Sequence, residues 1–220
     1  MAAGLRKHRN ERKAVVLDAL QRLRNAFPLQ ARIERAEPAV QAVYRRVLAH
    51  WVQEGSSDAV LDVAPTLLRA LIDIDAVVID AHGIGCYPFS DRKTDIRVQF
   101  ADGSVHAMCA IAALAIPRLM HRTSYIAARC ALCRCHLACE IAANGHVDGG
   151  NPQGIRVIWR PHAVTRPCGY SLCTGIVFVC RHCTVPPDVA QFSLPEAAAI
   201  GNATFSFQRR LLGHTLSQPA

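Results

Sequence analysis

The sequence predicts an α+β protein. A helical, winged-helix-like N-terminal domain covers residues 1–85, and a small mixed α/β domain with an antiparallel-rich sheet covers residues 86–220. Three observations carry the prediction. Apolar residues recur at helical spacing until about residue 74. Beyond that point apolar and polar residues alternate around a tight-turn dipeptide, Asp102-Gly103. A segment with its own N-terminal capping signal then closes the chain.

The elements follow in order. Residues 11–26 place Val15, Leu17, Leu20 and Leu23 on one helical face with Arg and Lys opposite, and Pro28 stops that helix. Residues 41–53, after Pro38, form a second helix with Val43, Val47, Leu48 and Trp51 as its apolar side. Gly55-Ser56-Ser57-Asp58 breaks it and caps one or two short helices over residues 59–74, interrupted near Pro65. Residues 75–79 have the β-branched content of a strand, and His82-Gly83-Ile84-Gly85 reads as a structural turn. Residues 95–100 alternate like a half-buried strand, and residues 105–108 return from the Asp102-Gly103 turn. Residues 109–120 are apolar and Ala-rich, a helix that Pro117 bends or ends. Residues 125–128, 136–141, 155–159 and 176–179 are further strands. Residues 194–212 form the closing helix, with Ser193 as N-cap, Pro195 in the first turn and Glu196 three residues after the cap.

Composition narrows the class. Hydrophobic residues are 51% of the 220 and charged residues 19%, which excludes a disordered chain. The net charge is +8, and the first 50 residues hold most of it, with eleven Lys/Arg against four Asp/Glu. That basic stretch reads as a solvated helical face, with nucleic acid as the competing partner. No apolar h-region follows the basic N-terminus, and the longest apolar run, residues 107–117, is too short to span a bilayer. A cytoplasmic protein with no membrane partner is expected. Ten cysteines in such a chain point to metal binding or thiol chemistry rather than a disulfide framework.

The cysteines fall into groups. Cys130-x-x-Cys133 and Cys180-x-x-Cys183 have the ligand spacing of a tetrahedral Cys₄ zinc site, although forty-six residues separate the pairs. A structural zinc on Cys130, Cys133, Cys180 and Cys183, auxiliary soft-metal-handling thiols, and plain free cysteines are the competing readings. Cys135 and Cys139 add ligand atoms that fit no single motif. Cys86 and Cys168 read as ordinary buried or loop thiols. His121, His146, His162, His182 and His214 are scattered and read as surface or core residues. No P-loop, dinucleotide fingerprint or nucleophile elbow is present.

One resemblance is more specific. Tyr87-Pro88-Phe89-Ser90, then Asp102-Gly103, then Val105-His106-Ala107-Met108-Cys109-Ala110-Ile111 resembles the alkylmercury (organomercurial) lyase family. Cys109 falls on that family's first catalytic cysteine. Ser171-Leu172-Cys173, leading into the apolar residues 176–179, resembles the second, and residues 194–207 resemble the closing helix. The resemblance covers roughly residues 60–215. It implies protonolysis of a carbon–mercury bond to a hydrocarbon and Hg(II), with Cys109 and Cys173 as catalytic, mercury-binding thiolates and no organic cofactor. It further implies organomercurial thiol adducts as substrates and small thiols or a mercuric reductase as acceptors of the Hg(II). Thiolate chemistry suits the metal, because mercury is soft and thiolate is the softest protein ligand.

The chain departs from the family at one position. Ala112 stands three residues after Cys109, where the family carries an Asp beside the cysteine on the helix. No acidic residue occurs between Asp102 and Glu140. Turnover then needs another proton source, whereas soft-metal binding does not. His106, three residues before Cys109, is the nearest titratable substitute and is taken as a catalytic candidate. Two other functions compete with the lyase. One is a non-catalytic soft-metal (Hg/Zn) binding protein of the same fold; the other is a metal-responsive DNA-binding regulator using the basic N-terminal domain.

Overall fold

The computed structural model describes residues 2–148, 151, 153–160 and 165–216, with side chains described over 12–148, 151, 153–160 and 165–213. His162 and the side chain of His214 lie outside the described residues.

The N-terminal half is helical. Helices α1 (Ala2–Ala26), α2 (Leu29–Arg35), α3 (Pro38–Glu54), α4 (Asp58–Leu61) and α5 (Pro65–Asp73) follow one another with short breaks. Proline explains the starts of α3 and α5. It sits in their first turn, where its missing N–H costs no intrahelical bond. Gly55 ends α3 in the left-handed conformation (φ 68°). The short helix α2 is absent from the sequence reading. Its seven residues bury only Leu29 and Ile33, too few for a periodic signal.

Strands β1 (Val77–Asp80), β2 (Gly83–Cys86), β3 (Phe89–Ser90), β4 (Ile96–Phe100), β5 (Gly103–Ala107), β6 (Ser124–Arg129), β7 (His136–Ile141) and β8 (Val147–Asp148) form one sheet in the order β1-β2-β3-β5-β4-β6-β7-β8. Every pairing in it is antiparallel. The segment read as a glycine turn is therefore largely strand β2. Gly85 serves there because a Cβ would lie 1.9 Å from the Met108 Cε that packs over it. β1 and β2 lie in this sheet, so it crosses the 85/86 boundary drawn from the sequence. In the β4–β5 hairpin Phe100 pairs with Gly103, so Ala101 and Asp102 form the loop, one residue earlier than the dipeptide signal suggested.

A second sheet, β10-β9-β11, is built from β9 (Arg156–Trp159), β10 (Ile176–Val179) and β11 (Ala190–Ser193), again antiparallel. Between β5 and β6 runs α6 (Ala110–Met120), and ten of its eleven residues are buried, which makes it the central helix of the fold. Each of its large side chains, Ile111, Leu114 and Ile116, contributes about 1.5–3 kcal/mol by leaving water. Pro117 lies inside α6 without ending it; the stop comes at His121, in the left-handed conformation. The closing segment is two helices, α7 (Leu194–Thr204) and α8 (Ser206–Leu216), where one was expected. Ser193 and Glu196 form the capping box at the start of α7. Gly201 lets α7 approach α6, since a Cβ there would lie 2.5 Å from the Ile111 carbonyl oxygen.

The halves are joined by polar as well as apolar contacts. Trp51 of α3 stacks on Phe89 of β3 with centroids 5.4 Å apart. The buried Gln208 of α8 donates through Nε2 to the Tyr44 hydroxyl (2.6 Å) and to the Tyr87 carbonyl (2.5 Å). Among the described residues no helix is long and apolar enough to cross a membrane.

Candidate active site

Cys109 stands at the junction of β5 and α6. Its backbone is extended (φ −162°, ψ 176°), as an N-cap requires, and its sulfur accepts a hydrogen bond from the Ala112 N–H at 3.4 Å. A thiolate suits this place, because the first N–H groups of a helix lack intrahelical partners and carry partial positive charge.

Cys173 arrives from the other side of the chain, on a short 3₁₀ turn that leads into β10. The loop carrying it is tied down from beneath. The Cys168 N–H donates to Asp75 Oδ2 (3.1 Å), and the Gly169 N–H donates to the Tyr87 hydroxyl (2.7 Å). That hydroxyl donates in turn to Asp75 Oδ1 (3.0 Å), and Arg32 Nη1 pairs with Asp75 Oδ2 at 3.2 Å. Asp75 is only 1% exposed and sits in the left-handed conformation (φ 59°) between α5 and β1. It gathers α2, β2–β3 and the Cys173 loop onto one carboxylate. The sequence reading missed it. Its only local signal is an Asp at a helix-to-strand junction, a place that favours left-handed Asp or Asn; its three partners are remote in the chain.

The two cysteines come together. Cys173 and Cys109 line the same cleft, and both residues are nearly buried, at 8% and 6% exposure. The neighbouring Cys173 thiol and the N–H groups of Ala112 and Ile111 pull Cys109 below the ordinary thiol pKa, against the effect of burial. Cys173 is pushed well above it by bonding to Cys109, by burial, and by the nearby Cys109, Cys168 and Asp75 charges. Of the pair, Cys109 is the thiol that ionises more readily and Cys173 the one that keeps its proton to higher pH.

The pair opens into a cleft of about 430 Å³, whose lining includes Met108, Tyr170 and the basic residues Arg92 and Lys93. The Arg92 guanidinium lies over the Tyr170 ring, 5.8 Å from its centre. His106 does not line this cleft. It is on β5 between Val105 and Ala107, whose side chains are buried on the opposite face, and its buried Nδ1 has no hydrogen-bond partner. Ala112 is buried and contributes its backbone N–H; its side chain does not line the cleft either.

The alkylmercury lyase (MerB) family model matches residues 89–202, more than half of the chain, with both Cys109 and Cys173 inside the match. The chain belongs to the alkylmercury lyase family. The solved structure of the mercury-bound form of MerB2 is similar to this lyase-family chain in fold, with a TM-score of 0.63 at 15% identity. The similarity covers 82% of this chain and 96% of that one. No protein of curated function matches it in sequence.

Other cysteines of this family member are placed differently. Cys86, Cys139 and Cys168 are buried, and burial pushes each thiol up to about 12. Cys130, Cys133 and Cys135 lie at the β6–β7 turn, together with Cys180 and Cys183 from the turn after β10. The structure thus unites the two CxxC pairs and adds Cys135, which the sequence reading left outside any motif.

Proposed function

We propose that this chain cleaves the carbon–mercury bond of organomercurial thiol adducts by protonolysis, giving a hydrocarbon and Hg(II). The observation that carries the reading is the placement of Cys109, at the N-terminus of α6, and Cys173 together in one cleft. The Cys109 thiolate attacks mercury and displaces the carrier thiolate, which takes a proton from solvent. Sulfur now bonds R–Hg at Cys109. The Cys173 sulfur then bonds mercury while its proton passes to the carbon, the carbon–mercury bond breaks, and R–H leaves. Mercury remains as a dithiolate. Two external thiolates displace Hg(II), and Cys173 regains a proton from solvent. Atoms and protons balance with the two cysteines alone, so neither an Asp at position 112 nor His106 is needed as proton source.

Arg92 and Lys93 at the cleft suit a carrier thiol that bears carboxylates. Small thiols or a mercuric reductase would take the product, in the cytoplasm. A second reading draws on Ala112: the same thiols could hold a soft ion without turnover. A headspace assay separates the two. With methylmercury and excess small thiol, wild type is expected to release methane and Cys109→Ser and Cys173→Ser to release none. Mercury retained one per chain without methane from wild type would sink the lyase reading in favour of soft-metal binding.

A further inference from the structure

We propose that Cys130, Cys133, Cys180 and Cys183 form a second metal site, separate from the cleft, that binds Zn(II) through four thiolates and fastens the two sheets together. The argument begins with edge lengths. In a tetrahedral zinc–thiolate site the metal–sulfur bonds are about 2.3 Å, so neighbouring sulfurs lie about 3.8 Å apart. Here Cys130 Sγ is 3.7 Å from Cys183 Sγ, Cys133 Sγ is 3.6 Å from Cys180 Sγ, and Cys180 Sγ is 3.5 Å from Cys183 Sγ. Cys133 also lies within 4.8 Å of the Cys130 sulfur. Cys130 and Cys180 fall within a group of sulfurs all less than 4.8 Å apart. Three edges of the tetrahedron are therefore at the length a zinc ion needs, and two more, Cys130–Cys133 and Cys130–Cys180, lie within 4.8 Å. These separations are far beyond a disulfide bond of about 2.05 Å.

The surroundings fit a tetrathiolate. Each CxxC bends back on itself: the Arg134 N–H donates to the Cys130 carbonyl (2.9 Å) and the Cys183 N–H to the Cys180 carbonyl (3.4 Å). The Cys180 N–H donates to the Cys130 sulfur at 3.4 Å, a bond that favours thiolate. Four thiolates on Zn²⁺ carry a net −2, and binding releases four protons from the thiols. Arg156 lies against this charge, with Nη2 donating to the carbonyls of Cys180 (3.0 Å) and Cys183 (2.8 Å). Cys135 also lies within 4.8 Å of the Cys130, Cys133 and Cys180 sulfurs, but Cys183 makes sulfur contacts under 4 Å, to Cys130 at 3.7 Å and to Cys180 at 3.5 Å, so Cys183 is assigned as the fourth ligand and Cys135 as the spare thiol.

The position gives the ion a structural task. Cys130 and Cys133 belong to the β6–β7 turn of the large sheet, and Cys180 follows β10 of the small one. Between them the described residues show one main-chain tie, from the Ala131 N–H to the Phe178 carbonyl (2.9 Å). A shared ion adds a covalent-strength clamp there. Cys173 sits at the opposite end of β10, so the clamp fixes the strand that carries the second catalytic thiol.

The test uses the full chain purified without chelator, with zinc counted by native mass spectrometry and elemental analysis. One zinc per chain is expected in wild type and in the Cys109→Ser/Cys173→Ser variant. Loss of zinc is expected in Cys133→Ser and Cys183→Ser, and retention in Cys135→Ser. Substoichiometric zinc in wild type, zinc lost from the Cys109/Cys173 variant, or loss in Cys135→Ser with retention in Cys183→Ser would each overturn the assignment. Should the knuckle variants fail to fold, Co(II) loaded into wild type decides. Intense tetrahedral absorption with sulfur-to-metal charge transfer supports the site, and the weak spectrum of an octahedral ion refutes it. Zinc content and methane release are read independently, so this inference and the lyase reading can fail separately.

Discussion

The molecule holds two gatherings of cysteine built on opposite principles. The Cys109–Cys173 pair is nearly buried at a helix N-terminus and faces a cleft, with two sulfurs. The knuckle is a surface feature of two turns, with Cys133 and Cys135 exposed and five sulfurs crowded together. Ligand number separates their uses. Two thiolates leave a bound ion open to attack by further thiols, so it can be released. Four thiolates fill a tetrahedral ion, and closed coordination is the mark of a structural site. The lesson is that thiol count and access, more than the presence of cysteine, divide turnover from retention.

Four perturbations would break or sharpen that contrast. The largest concerns the Cys109 thiol. Alkylation of Cys109 followed by mass spectrometry is expected to rise with pH through a midpoint below the usual thiol value of 9. The sign follows from the thiolate being the nucleophile and the folded state favouring it. Cys173→Ala removes the first cause of the shift, so the midpoint is expected to move upward and the rate at neutral pH to fall about tenfold per pH unit of the move. An unchanged midpoint would show that the helix N-terminus acts alone. Methane release is expected to stay active on the alkaline side until Cys173 loses its proton, above the ordinary thiol range.

Next is the carboxylate under the Cys173 loop. Asp75→Ala leaves Arg32 and the Tyr87 hydroxyl without their buried partner and is expected to cost about 3–5 kcal/mol in denaturant unfolding. Methane release is expected to fall with it, while zinc retention stays intact. Zinc lost in step with activity would mean that the two thiol sites depend on one anchor. A smaller effect is expected from Gly201→Ala. Alanine is the better helix former, but its Cβ would lie 2.5 Å from the Ile111 carbonyl oxygen, so the clash wins by about 1–3 kcal/mol. A melting curve that rises instead would show that α7 can give way. Smallest is Arg134→Ala. Arg134 pairs with Asp95, which lines the cleft, by bonds of 2.6 and 2.9 Å, but both side chains are about half exposed. Stability is expected to change little. A measurable fall in methane release would reveal that the knuckle steers the cleft wall through this pair.

Much of the fold was legible in the sequence where one short-range signal dominates. β7 and β10 match the bounds read from β-branched alternation, and α6 matches the apolar run after Cys109. The capping box at Ser193 marked α7, but Phe205, where the chain leaves the helical conformation, carries no breaker residue, so α8 was merged with it. β11, Ala190–Ser193, was missed because its four residues alternate only weakly and gain their order from pairing with β9. Cys109 and Cys173 were legible through family resemblance. Their meeting depends on a loop held by Asp75, Tyr87 and Arg32, and no local pattern records partners so distant in the chain. His106 was drawn toward the chemistry by closeness in sequence, while strand alternation turns it away from its buried neighbours.

The strand β10 separates Cys173 from Cys180, and four extended residues span about 13 Å. That gap insulates one sulfur store from the other. An ion freed at the cleft is expected to need a diffusing carrier to reach the knuckle. Under the proposed chemistry, release of mercury is expected to follow the concentration of external thiol, and scarce thiol would leave the product on the cleft cysteines while a zinc at the knuckle stayed in place.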